Sequence, residues 1–183
     1  MRAGIALLAL SLSSQVHAAE PAALIGQIEG VYKHRFESGY VTGPGQPDAH
    51  HQVEDIIEVV RYDDSNVYLN VKLEFYNGHQ CGIAGIASHE GGEFVYRAPS
   101  IVPGEPECAL RLGVRGDRLF LTDRAAPGEA SSCRGYCGVR GSLGDYSIAR
   151  SSKRKIRYMD RLKASPNYRR AVEEHEKKGV KPS

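Results

Sequence analysis

From Val31 to about Tyr146, apolar and polar residues alternate in short runs, as in strands that bury one face and wet the other. The clearest run covers residues 67–76, where Val67, Leu69, Val71, Leu73 and Phe75 interleave with Tyr68, Asn70, Lys72, Glu74 and Tyr76. Asn77-Gly78 comes next, the dipeptide best suited to the positive φ angles of a type I′ turn, and residues 81–87 form the returning strand. Glu90-Gly91-Gly92 turns into a strand over 93–97, and Arg115-Gly116-Asp117 separates 108–114 from 119–122. Adding 31–36, 56–62 and a last strand within 137–148, the pattern predicts about eight short strands at meander spacing. An up-and-down antiparallel β-barrel accommodates that series with no sheet edge left over, and a two-sheet sandwich is the alternative. Loops are expected over 38–52, 98–107 and 125–132, each rich in Gly, Pro or small polar residues.

The periodicity changes after residue 149. Ile156, Met159 and Leu162 recur at helical spacing among basic residues. Ser165-Pro166 then restarts a helix with a capping residue and a proline at its first position. Tyr168, Ala171, Val172 and His175 make a narrow apolar stripe ending near Gly179. So thin a stripe does not hold a free-standing helix, and it predicts docking on the barrel or on a partner.

The start of the chain has a third character. Met1-Arg2 supplies a positive charge, residues 5–12 form an apolar run too short to span a bilayer, and small residues follow at Ala18 and Ala19. That three-part pattern is a secretory signal cleaved after Ala18 or Ala19. The expected organisation is therefore a signal peptide over 1–19, a mainly β barrel domain over 20–149 and a basic helical tail over 150–183. Export makes the protein periplasmic or secreted, and no second stretch is apolar for long enough to be a transmembrane span.

Composition sharpens this picture through charge and cysteine. Residues 19–149 carry 11 basic and 18 acidic side chains, a net of −7, whereas residues 150–183 carry 12 basic and 4 acidic, a net of +8. An acidic body with a basic tail suits either self-docking or an anionic partner. The densest cluster, Lys153, Arg154, Lys155 and Arg157, is a candidate patch for anionic envelope components, since export removes nucleic acid as a partner. All four cysteines, Cys81, Cys108, Cys133 and Cys137, lie in the mature part, an even count that pairs in an oxidising compartment. On a meander they gather at one rim. Joining nearest neighbours in sequence gives Cys81 with Cys108 and Cys133 with Cys137 as the expected bridges.

Candidate chemistry is sparse. His89-Glu90-Gly91-Gly92-Glu93 has Glu93 where a helical zinc motif needs its second His, so it is a hairpin turn. His50-His51, near Asp48, Glu54 and Asp55, offers metal-binding residue types, yet adjacent side chains rarely face one ion. Gly141-Ser142-Leu143-Gly144 lacks the pattern of a nucleophile elbow, and no cofactor or catalytic set is selected.

Three short motifs resemble known groups. Gly30-Val31-Tyr32 at the first strand, followed by a meander and a helix, is similar to lipocalin-like barrels, which carry Gly-x-Trp there. Ser38-Gly39-Tyr40 resembles the inhibitory Ser-Gly-x-x-Tyr loop of bacterial lysozyme inhibitors, which are also small, exported and disulfide-stapled. Residues 133–143 are similar to a motif of exported bacterial proteins that brings no activity with it. Together these imply a non-catalytic binding protein of the envelope, in its most specific form an inhibitor of an enzyme such as a lysozyme. Its working surface is expected on loop 38–52, with Ser38, Gly39, Tyr40, His50 and His51 as binding residues. A small-ligand carrier needs an apolar void in the barrel, and an unrecognised hydrolase needs ionisable groups that converge only in three dimensions.

Overall fold

The computed structural model describes residues 20–179, so the expected signal peptide and its cleavage site lie outside the described residues. Eight strands follow one another: β1 (Gly30–Tyr40), β2 (Ala49–Arg61), β3 (Asn66–Glu74), β4 (Gln80–Glu90), β5 (Glu93–Ala98), β6 (Cys108–Arg115), β7 (Arg118–Thr122) and β8 (Tyr146–Ala149). They form one sheet in sequence order, each pair of neighbours antiparallel. The predicted meander is thus the observed one.

Closure departs from expectation. β1 and β8 do not pair, so the barrel is nearly closed and keeps a seam. Backbone bonds stitch only the bottom of that seam, where Arg154 and Val31 exchange bonds of 2.9 Å in both directions.

Alternation decides the core. Tyr32, Ile57, Leu69, Val71, Leu73, Phe94, Leu110, Leu112, Leu119 and Leu121 point inward from six strands into one buried cluster. Tyr96 joins them by lying over Gly85, where a Cβ would come within 1.9 Å of the ring, so only glycine fits. An unanticipated helix, α1 (Pro21–Ile28), packs Leu24, Ile25 and Ile28 into the same cluster at the end where β1 begins. The Tyr32 hydroxyl ties it down by donating to the Ile28 carbonyl at 2.8 Å. Eight residues are too few to display a helical period, although Pro21 sits where a first helical position favours it.

The β3–β4 hairpin forms as predicted, with Asn77 at φ 62° and Gly78 at φ 68°, but its turn takes three residues, Tyr76–Gly78, not two.

The tail does dock. Helices α2 (Met159–Lys163) and α3 (Pro166–Gly179) lie outside the barrel, where Ile156, Leu162 and Ala171 are buried with Val31, Val60, Tyr68 and Ile86. Ile156 precedes the helical part, whose predicted first turn is thereby shortened. Ser165 caps α3 as its sequence suggested, accepting the Tyr168 N–H at 3.2 Å. Beneath the tail sits a buried carboxylate, Glu58, which accepts bonds from the Tyr158 hydroxyl and, at 2.8 Å, the Asn70 amide. Among the described residues no helix is long and apolar enough to cross a membrane.

Burial holds many phenols neutral: it pushes Tyr32 and Tyr96 up to about 12, and Tyr68, Tyr146 and Tyr158 higher still. Above an unfolded-state value of 10.0 the unfolded chain releases these protons while the folded chain keeps them, so stability falls as pH rises. The melting temperature should hold between neutrality and about pH 10 and then drop steeply. Tyrosinate absorbance should rise together with unfolding, and full ionisation near pH 10 without unfolding would contradict this burial.

Candidate binding rim and barrel seam

Strands β1, β3, β5 and β7 all end at one rim of the barrel, and the connections after them are bonded to one another there. The Val41 N–H donates to Asn77 Oδ1 at 2.8 Å, and the Tyr76 hydroxyl bonds the Asp48 carboxylate. The Gly138 N–H donates to the Gln80 carbonyl at 2.8 Å, and the Tyr136 hydroxyl to the Pro99 carbonyl at 2.9 Å. Asp123, buried at the end of β7, receives the Cys133 N–H at 3.1 Å and the Ser131 hydroxyl. No sequence pattern marked Asp123, because its partners come from a loop with no periodicity.

Both disulfides sit at this rim, as the strand directions implied, but the pairing is Cys81–Cys137 and Cys108–Cys133. The expected Cys81–Cys108 bridge is ruled out by the sheet. β4 and β6 lie on either side of β5, and two strand spacings of about 4.8 Å exceed the reach of a disulfide. The β7–β8 connection instead returns over both strands, and a single turn at Arg134–Tyr136 directs Cys133 and Cys137 to different partners. Cys137 thus lies ahead of β8 and forms an isolated bridge beside Cys81.

The expected binding loop 38–52 is mostly strand. β1 and β2 continue as a protruding hairpin that pairs Ser38 with His51, Gly39 with His50 and Tyr40 with Ala49, leaving only residues 41–48 as loop. Its polar, unperiodic sequence hid the strands because little there is buried. Ser38 is the exception, turned inward with its hydroxyl 3.4 Å from the Phe75 carbonyl. His50 and His51 point to opposite sides, one 3.3 Å from Glu37 and the other against the Tyr40 ring, so they do not converge on one ion. Among the described residues no cluster of three metal-ligating side chains occurs.

The large apolar side chains left in water are Tyr40 at 47 %, Val41 at 57 %, Ile101 at 59 % and Val139 at 96 % exposure, all on this rim. Ile101 and Tyr136 also wall a groove of about 700 Å³ that runs down between α3 and β4. Inside the barrel, the inward side chains form one buried cluster.

The basic cluster is partly structural. Lys153 donates to the Gln27 carbonyl at 2.7 Å, in the last turn of α1 where exposed carbonyls favour a cation. Arg154 stitches the seam through its backbone, and its guanidinium caps the Ser151 and Lys153 carbonyls. Lys155 and Arg157 remain exposed.

At the seam, Asp55 is buried and accepts the Tyr146 hydroxyl at 2.9 Å and the Glu74 N–H at 2.8 Å, with His34 Nδ1 3.7 Å away. Burial first and this carboxylate second raise the Tyr146 pKa, the opposite of an activated phenol, so the group braces the seam. In comparisons with known proteins, no family model, no curated protein and no solved structure matches this chain.

Proposed function

We propose that this is an exported, non-catalytic binding protein of the cell envelope that grips a partner protein with the disulfide-held rim, the most specific partner being an envelope-degrading enzyme such as a lysozyme. One observation carries the proposal: Tyr40, Val41, Ile101 and Val139, the large apolar side chains exposed among the described residues, share one end of the barrel. Clustered exposed apolar groups on loops of a rigid scaffold are the usual form of a protein-binding face. Two disulfides fit the oxidising compartment that such a role requires. The carrier reading is less favoured, because inward side chains from six strands form one buried cluster in the barrel.

The test is lysis of peptidoglycan by a lysozyme in the presence of residues 20–183. Stoichiometric inhibition is expected, and the variant Tyr40→Ser/Val41→Ser/Val139→Ser should bind at least about tenfold more weakly while melting normally. Undiminished lysis at a large molar excess removes the lysozyme-inhibitor reading, and unchanged affinity of the triple variant removes the rim.

A further inference from the structure

The seam presents an edge that the meander was expected to seal. Arg154 and Val31 exchange backbone bonds across it, which fixes the alternation: in β1 the N–H and C=O of odd-numbered residues face the seam and those of even-numbered residues face β2. Above Val31, therefore, Lys33, Arg35 and Glu37 direct three donors and three acceptors toward β8. Among the described residues no hydrogen bond reaches those backbone groups. The facing edge of β8 is different, because its carbonyls are already taken. Arg118 donates to the Ser147 carbonyl at 2.8 Å, and the Ser152 hydroxyl to the Ala149 carbonyl at 2.7 Å. Between the two edges lies a cleft of about 490 Å³ lined on its inner side by Phe36, Tyr146 and Ile148, with Asp55 bonded to the Tyr146 hydroxyl and His34 beside it, and on its outer side by Lys33 and Arg118.

The geometry points to a strand-addition site: an extended peptide segment of a partner protein enters the seam and pairs with the β1 edge at Lys33, Arg35 and Glu37. The chain performs this operation on itself one step lower, where Arg154 pairs with Val31. An unpaired row of backbone groups recognises any extended chain, and the side chains flanking it choose the sequence. Successive residues of an entering strand point alternately in and out. Inward ones meet Phe36, Tyr146 and Ile148 and are apolar, whereas outward ones meet Arg118, beside Lys33 and Arg35 that Glu54 already pairs, and are acidic opposite Arg118. Arg118 has no carboxylate partner among the described residues. A second copy of the barrel is the wrong shape, since one wall of the slot is β8 of the same molecule, which flanks the β1 edge and leaves it open to an extended segment rather than to a whole sheet. The proposal is independent of the rim, which lies above the slot and uses other side chains.

The experiment follows backbone amide signals of residues 20–183 by NMR during titration with a blocked synthetic probe of about six residues in which Glu and Val alternate. Saturable shifts and new exchange protection are expected at Lys33, Arg35 and Glu37, with weaker binding of a Lys and Val counterpart. Arg35→Pro removes one seam-facing donor without touching the β1–β2 ladder, and it should weaken binding about tenfold, against about threefold or less for Arg35→Ala. N-methylating alternate probe residues on the side facing β1 should abolish binding to the unaltered protein, a readout that holds however the proline variant folds. Equal affinity of the N-methylated probe, equal effects of Pro and Ala in a folded variant, or no response at these three amides would overturn the site. Protection of the same amides by self-association alone, growing with protein concentration, would overturn the peptide assignment. The rim triple variant should bind the probe normally, which separates failure here from failure there.

Discussion

A chain ending at Lys155 should lose about 5 kcal/mol of stability or more and bind a hydrophobic dye that the full chain ignores. This truncation keeps the Arg154–Val31 stitch and removes only what lies over the outer face. Ile156 and Leu162 leave the buried cluster at about 1.5–3 kcal/mol each, and Val31, Val60, Tyr68 and Ile86 lose their cover. Glu58 also loses the Tyr158 hydroxyl that helps satisfy it. Against a total stability of about 5–15 kcal/mol, such a loss leaves the barrel marginal. Leu162→Ala alone should remove about 2–4 kcal/mol. Salt should matter little, because the ion pairs of the tail, Lys177–Glu173 and Arg170–Glu174, lie within α3 and are exposed to screening solvent. Thermal melts of the truncated and Leu162→Ala chains check this, and equal melting temperatures for truncated and full chains would refute the docked tail.

Removing a disulfide is the second large effect, and the two bridges should differ. Cys81–Cys137 closes a separation of 56 residues and Cys108–Cys133 one of 25. In the chain-entropy description these contribute about 4 and about 3.5 kcal/mol. Cutting the longer one also frees the segment whose Gly138 N–H holds the Gln80 carbonyl, so the double serine variant at Cys81 and Cys137 should be the worse of the two. Melting should fall by about 10 °C for either pair and further for that one. Peptide mapping without reductant should join Cys81 to Cys137, and a Cys81–Cys108 peptide would contradict the sheet order.

How much of this was visible in the chain follows from the range of the forces involved. Alternation from Val67 to Phe75 announces a strand because each residue reports its own face, and Asn77-Gly78 announces its turn because φ is a local property. The hairpin bearing Ser38, Gly39, Tyr40, His50 and His51 was legible as a place and not as a structure, since strands that leave the core bury almost nothing and lose their period. The structural roles of Glu58 and Asp55 carried no signal, because their partners, Tyr158 and Tyr146, are distant in sequence, and Asp123 is held by a loop that has no periodicity.

The sequence by itself determined eight strands, their antiparallel order, a capped terminal helix and four cysteines at one rim, all consequences of interactions between near neighbours. Tertiary structure alone decided which cysteines pair, because that depends on β5 standing between Cys81 and Cys108. It alone decided that Arg154 stitches β1 while Lys33, Arg35 and Glu37 keep a free edge, because closing a barrel is a condition on its first and last strands together.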